Sequence, residues 1–157
     1  MKQALAIFLL FATTVAQAPL GKKTWITISP VAPVSVVRGK ATNAEVKFTI
    51  TKGYHVNSNK PTAEFLIPTT LTLKPTNELK VGKISYPAGH DFALSFDPKQ
   101  KLNVYTGDVA LNVSISAAKT AKPGKYKLAG ELEYQACNDY SCFPPRKAPV
   151  EIVVNVR

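Results

Sequence analysis

The sequence predicts an all-β fold, an immunoglobulin-like sandwich of two packed antiparallel β-sheets, and three observations lead to this prediction. Apolar and polar residues alternate with a period of two through most of the chain, as in strands with one buried face. Turn-forming Pro, Gly, Asn and Asp residues separate these segments at short intervals. After the first 18 residues, no window longer than a turn or two carries an amphipathic helical stripe. Many short strands joined by turns bury their apolar faces best as two packed sheets.

The candidate strands follow one another along the chain without a repeat or a linker. The alternation is strongest in four of them, at 44–51, 108–116, 125–135 and 150–156. In the first, Val46, Phe48 and Ile50 share one phase, and charged or hydroxyl side chains take the other. Weaker candidates lie at 24–29, 35–37, 70–74, 83–86 and 103–105. We expect a single domain over residues 19–157.

The first 18 residues, MKQALAIFLLFATTVAQA, have the layout of a secretory signal peptide. Lys2 precedes an apolar run that begins at Ala4, and small residues close the segment at 16–18. This run is too short to span a bilayer. We therefore predict a signal peptide at 1–18 and an exported protein without stable membrane insertion. Because Pro19 fits poorly after the expected cleavage site, cleavage after Ala16 is the alternative.

The chain is strongly basic, with 20 Lys and Arg against 10 Asp and Glu and a formal net charge of +10. The cations are spread over the polar phases of the strands and the turns, which favours a solvated basic surface. A module that binds an anionic surface is a weaker alternative. Because no dense cationic run is interleaved with aromatic residues, we expect no nucleic acid partner. No Ser-His-Asp set or paired-carboxylate motif suggests hydrolysis.

Both cysteines lie in one short segment, CNDYSCFPPR at 137–146. Extending the alternation of the preceding strand puts Cys137 on the solvent side, and NDYS fits a short turn. The side chains of Cys137 and Cys142 would then face each other across the mouth of a hairpin, close enough for a disulfide. Pro144 and Pro145 donate no ladder hydrogen bonds, so the return segment is expected to be an edge or irregular.

The residues alone leave three interpretations of this pair. A structural disulfide fits export, although closing so short a loop stabilises a fold by only about 2 kcal/mol. A reducible disulfide for exchange with other proteins is nearly as plausible; Arg146 and Lys147 would favour the reactive thiolate, and Asp139 would oppose it. A zinc site would need His55 and His90, and neither has a characteristic ligand spacing. We expect no metal.

The segment YQACNDYSCFPP, a strand ending in Tyr-Gln-x-Cys and returning as Cys-aromatic-Pro-Pro, resembles the active-site hairpin of the N-terminal periplasmic domain of DsbD, a thiol:disulfide interchange protein. Two further segments, at 53–61 and 104–116, occur in the order that this family shows. The resemblance implies an immunoglobulin-like fold in the periplasm of a bacterium, with no cofactor. It also implies partners: a thioredoxin-like electron donor and exported disulfide isomerase-like acceptors.

The resemblance implies that Cys137 and Cys142 are a redox pair, with Cys142 as the nucleophile that forms mixed disulfides and Cys137 as the resolving thiol. The family also covers its cysteines with a mobile loop that carries an aromatic residue. Counting back from Tyr105 puts this loop at 93–101 and makes Phe96 the candidate cap, although a lone Phe in a β domain is usually a core residue.

Two departures from the family affect these expectations. The C-x4-C spacing is one residue shorter than in the best-known members, and the chain stops after the domain. We therefore expect a stand-alone protein whose electron donor is a separate chain. The alternative is a non-catalytic binding module with a structural disulfide. For His55, which follows a Gly-Tyr turn, we favour a structural role in orienting a loop.

Overall fold

The computed structural model describes residues 24–94 and 97–157, and this part of the chain is built from β-strands without an α-helix. The strands are β1 (Ile26–Ile28), β2 (Val34–Val36), β3 (Ala41–Ile50), β4 (His55–Asn57), β5 (Thr70–Leu73), β6 (Leu79–Ser85), β7 (His90–Leu94), β8 (Asp97–Tyr105), β9 (Asp108–Ala117), β10 (Gly124–Tyr134), β11 (Ala136–Cys137) and β12 (Arg146–Val156). The predicted signal peptide at 1–18 and the candidate cap Phe96 lie outside the described residues.

Two four-stranded sheets form the sandwich, with strand orders β1-β3-β9-β6 and β2-β12-β10-β5. Their long central strands are those with the strongest alternation in the sequence. In β3, for example, Val46, Phe48 and Ile50 are buried and the residues between them are exposed. The buried faces of both sheets join in one apolar core. The all-β prediction is therefore confirmed, with one parallel pair, β2 against β12, among antiparallel neighbours.

A third, smaller sheet with the order β11-β4-β8-β7 was not predicted. Strands β4 and β11 are only three and two residues long, and every residue in them is buried, so they carry no alternation for a sequence pattern to reveal. A second apolar cluster lies beside this sheet and contains Leu66, Leu102 and Val104. This third sheet carries His55 and Cys137.

The prediction that Cys137 faces solvent is wrong, because the chain changes sheets just before it. Strand β10 ends at Tyr134, and after Gln135 the chain enters β11, which pairs with β4 instead of the strands beside β10. The alternation of β10 therefore does not continue, and Cys137 is only 1% exposed. The side chain of Gln135 stabilises this connection between β10 and β11. It accepts a hydrogen bond from Asn57 Nδ2 (3.2 Å) and donates one to the carbonyl of Phe143 (3.3 Å).

Across residues 24–94 and 97–157, we find no helix with the length and apolar character required to cross a membrane.

Candidate functional site

The site is built around a disulfide between Cys137 and Cys142, whose Cα atoms are 4.0 Å apart. The two residues form an antiparallel bridge. On one side of them, the N–H of Asn138 donates to the carbonyl of Ser141 (2.9 Å). On the other side, the N–H of Phe143 donates to the carbonyl of Ala136 (2.8 Å). The cysteines are therefore a directly opposed pair without backbone hydrogen bonds to each other, the position at which strands approach most closely. The predicted hairpin geometry is confirmed.

The four residues between the cysteines form a tight turn held by the first of them. Asn138 Oδ1 accepts hydrogen bonds from the backbone N–H groups of Tyr140 and Ser141, both at 2.9 Å. An Asn side chain commonly stabilises a turn in this way, which is why NDYS predicts one. The turn leaves Tyr140 88% exposed near Cys142.

The return segment is anchored by aromatic stacking. The ring of Phe143 stacks on buried Trp25 with centroids 4.5 Å apart, and the guanidinium carbon of Arg146 lies 5.1 Å from the Trp25 ring centroid. Between these anchors, Pro144 and Pro145 belong to no strand, as predicted. Phe143 thus fixes the backbone next to Cys142 against the sandwich.

The two sulfur-bearing residues differ sharply in exposure. Cys137 is 1% exposed, whereas Cys142 is an exposed residue. Thiol–disulfide exchange begins when a thiolate attacks one sulfur of a disulfide, and access decides which sulfur is attacked. In this arrangement, Cys142 is accessible to an attacking thiolate and Cys137 is shielded from it.

A mainly apolar cavity of about 260 Å³ opens beside Cys142. Two exposed aromatic residues lie at it, Tyr140 on the turn and Phe65 (76% exposed) on the segment between β4 and β5. Large apolar side chains exposed together are typical of surfaces that bind other proteins. The remaining lining residues are His55, Leu66, Leu94, Gln100, Leu102, Asn138 and Ser141. Sequence reasoning missed Phe65 and Tyr140, although an aromatic residue in a polar turn is a usable signal.

His55 lies closer to the disulfide than the sequence suggested. It is on β4, where it pairs in register with Cys137, and it is 1% exposed. Its ring centroid is 4.2 Å from that of Phe92. Burial lowers the pKa of His55 below its ordinary value; the Asp139 carboxylate opposes this effect and His90 adds to it. Within the described residues, His55 Nε2 has no hydrogen-bond partner.

The cations expected to favour a thiolate have other contacts. Lys147 forms an ion pair with Glu131 on the neighbouring strand, and Arg146 lies over Trp25. His90 contacts the hydroxyl of Thr106 at 3.4 Å. Residues 24–94 and 97–157 contain no group of three or more His, Cys, Asp and Glu placed to hold a metal ion.

Comparison with known proteins gives one family and several similar folds. The family model for the N-terminal region of the thiol:disulfide interchange protein DsbD matches residues 22–153. Among curated protein sequences, none matches the chain significantly.

Three solved structures illustrate the structural likeness. The reduced DsbD N-terminal domain of Neisseria meningitidis is 23% identical, with 72% of this chain and 78% of that chain covered and a TM-score of 0.44. The DsbD N-terminal domain in its complex with the PilB N-terminal domain, also from Neisseria meningitidis, is 20% identical, with 79% and 80% covered and a TM-score of 0.45. The N-terminal periplasmic domain of ScsB from Proteus mirabilis is 10% identical, with 81% and 44% covered and a TM-score of 0.53. At these identities, the likeness concerns the fold alone.

Proposed function

The chain belongs to the family of the DsbD N-terminal domain, and from this premise we propose that it is a thiol–disulfide exchange domain that relays electrons between proteins through Cys137 and Cys142. The observation that carries the proposal is the unequal burial of the pair. A shielded resolving thiol beside an exposed partner is what sequential exchange requires, because the first attack must fall on one defined sulfur.

Reduction of the domain takes two substitutions at sulfur. A thiolate of the donor attacks Cys142 Sγ, the Cys137–Cys142 bond breaks, and Cys137 Sγ leaves with the electron pair and takes up a proton. The donor's second thiolate then attacks the donor sulfur that is bonded to Cys142 Sγ in the mixed disulfide. Cys142 leaves as a thiolate, and the donor departs as a disulfide. Two electrons have moved from the donor to the domain.

Delivery of the electrons reverses these steps on an oxidised acceptor. The Cys142 thiolate attacks one sulfur of the acceptor disulfide, and the acceptor's other sulfur leaves as a thiolate. Cys137, once deprotonated, attacks Cys142 Sγ, which closes the domain disulfide and releases the reduced acceptor. The assigned roles are therefore Cys142 as nucleophile and Cys137 as resolving thiol.

The proposed partners are a thioredoxin-like donor and a disulfide isomerase-like acceptor. The exposed rings of Phe65 and Tyr140 beside Cys142 support a protein partner, because they offer apolar contact area around the reacting sulfur. We place the domain at residues 19–157, behind a signal peptide at 1–18, in the bacterial periplasm. The family assignment and the layout of the first 18 residues support this location.

Phe96 remains our candidate for an aromatic cap over the cysteines. Strands β7 and β8 pair up to Leu94 and Asp97, which flank Phe96 in the sequence. Leu94, two residues before Phe96, lines the cavity beside Cys142, which supports a cap from this part of the chain.

The first test is the reduction potential of the pair, measured in glutathione redox buffers with alkylation and mass analysis. An exchange domain requires a potential above about −300 mV, since structural disulfides of secreted proteins usually lie below that value. A lower potential would favour the alternative, a binding module with a structural disulfide.

The second test separates the roles of the two cysteines. We expect Cys137→Ala to accumulate mixed disulfides with thioredoxin-family proteins from a periplasmic extract, because the exposed Cys142 attacks and nothing resolves the product. The matched variant Cys142→Ala should trap none, since its remaining thiol is buried. Trapping by Cys142→Ala alone would reverse the assignment.

A further inference from the structure

We propose that His55 accepts and returns the proton of the Cys137 thiol during exchange, an inference that rests on the proposed function and assigns it a further residue. Cys137 is paired in register with His55 on one side and with Cys142 on the other. Side chains that are directly opposed on neighbouring strands project to the same face, with Cβ atoms about 4.5–5.5 Å apart. His55 on β4, Cys137 on β11 and Cys142 on the return segment of the hairpin therefore lie in one row.

The burial of Cys137 creates the need for such a group. Only the thiolate form attacks a disulfide, so the resolving step must first remove a proton from Cys137. Because this residue is 1% exposed, its proton has no direct contact with bulk water. A neighbouring side chain that takes the proton would make the step independent of water reaching the sulfur.

His55 has the properties of that acceptor. Its burial keeps the imidazole neutral at neutral pH, and a neutral imidazole has one nitrogen that accepts a proton. Within residues 24–94 and 97–157, no donor occupies its Nε2. Phe92 packs an apolar ring against it, and its electrostatic neighbours are Asp139 on the turn and His90 on β7.

A second cavity gives the proton a path onward. His55 lines the cavity beside Cys142 and also a separate one of about 380 Å³, whose lining includes Asp139, Thr106 and Lys52. Asp139 is exposed, which brings this second cavity to the protein surface. Asp139 is therefore an acidic, solvated neighbour past which His55 can release a proton taken from Cys137.

The proton balance follows the electron balance. During resolution, neutral His55 takes the proton of Cys137, the thiolate attacks Cys142 Sγ, and the partner leaves as a thiolate. The imidazolium then releases its proton to solvent past Asp139. During reduction, His55 first takes a proton from solvent past Asp139; the donor thiolate attacks Cys142, Cys137 leaves as a thiolate, and the imidazolium passes its proton to Cys137.

The test uses the reduced full-length protein and the aryl disulfide dithiobis(nitrobenzoate). Cys142 displaces one coloured nitrothiobenzoate, and Cys137 then attacks the mixed disulfide and displaces a second. In His55→Gln, we expect the first release to be unchanged and the second to slow by about tenfold or more at neutral pH, as general bases contribute at least that much. The pH profile of the second release should also lose the inflection due to histidine. His90→Gln, at an exposed histidine on β7, is the control for loss of a histidine that is not in register with Cys137.

The outcomes separate this inference from the proposed function. An unchanged second release and pH profile in His55→Gln would overturn the role of His55 and leave exchange intact. Failure of the unmodified protein to give a second release would count against exchange itself. The unmodified protein also provides a check that does not depend on how the variant folds: the pKa of the His55 ring, followed by NMR, should change between the oxidised and reduced states. Equal values in both states would again overturn the inference.

Discussion

Reduction of the Cys137–Cys142 disulfide should leave the protein folded and only modestly less stable. The bond closes a loop with a sequence separation of 5. The loop-entropy model gives about 2 kcal/mol for a loop of this length, against nearly 5 kcal/mol for a loop of about one hundred residues. The hairpin also keeps contacts that need no sulfur, namely the Asn138–Ser141 hydrogen bond and the stacking of Phe143 on Trp25.

The stabilisation by the disulfide also sets how much folding changes its reduction potential. A stabilisation of about 2 kcal/mol corresponds to about 45 mV for a two-electron couple, so folding lowers the reduction potential of the pair only slightly. A bond that contributes so little to the fold can open and close repeatedly without endangering it. A stabilisation this small is what an exchange disulfide needs.

Urea unfolding with and without dithiothreitol measures the effect. Trp25 is the only tryptophan of the chain and is 5% exposed, so its fluorescence reports on the sandwich. For a slope of about 2 kcal/mol/M, the midpoint should fall by about 1 M on reduction. The double variant Cys137→Ala, Cys142→Ala should not respond to the reductant. A loss above about 4 kcal/mol, or an unfolded reduced protein, would refute the reasoning and support a structural disulfide.

Four further predictions follow from the geometry around the hairpin. Asp139→Asn should lower the pKa of His55 further, because it removes the carboxylate that favours the imidazolium; ring titration by NMR measures this, and a raised pKa would contradict it. Because folding lowers the pKa of His55, the unfolded chain binds a proton at this histidine more readily than the folded protein does. The free energy of unfolding should therefore be highest above about pH 6.5 and decrease as the pH falls below that value. In urea titrations, His55→Gln should remove this part of the pH dependence. Phe143→Ala should cost about 2 kcal/mol of stability through its lost stacking and partial burial, whereas the exposed control Tyr140→Ala should cost under about 0.5 kcal/mol. Phe96→Ala should speed alkylation of the reduced cysteines, and an unchanged rate would remove Phe96 from the site.

The sandwich was predictable because its strands are long and half-buried. Strands β3 and β9 each run for ten residues, and β10 and β12 for eleven, so the alternation repeats often enough to be recognised. The third sheet has no such signal in its shortest strands. Burial on both faces of β4 and β11 removes the contrast between apolar and polar positions on which the prediction depends.

The wrong prediction of an exposed Cys137 shows that the apolar–polar alternation of one strand cannot be extended past the end of that strand. The alternation of β10 is correct up to Tyr134, where the chain leaves one sheet for another. In β11 both faces are buried, so the phase no longer separates buried from exposed positions, and only tertiary pairing reveals this. The position of His55 depends on the same pairing, since β4 and β11 are about eighty residues apart in sequence yet adjacent in space. The turn at 138–141 was predictable because its chemistry is local.

The placement of the disulfide on the third sheet has a consequence for how the domain opens. Proteins open in local units whose free energies range from near zero up to that of global unfolding. Val56 of β4 and Ala136 of β11 are fully buried members of the main apolar core, so the strands that hold Cys137 can open only together with part of that core. Residues 139–142, by contrast, are all exposed. Local opening is therefore expected at the turn and at Cys142, while Cys137 stays fixed to the sandwich.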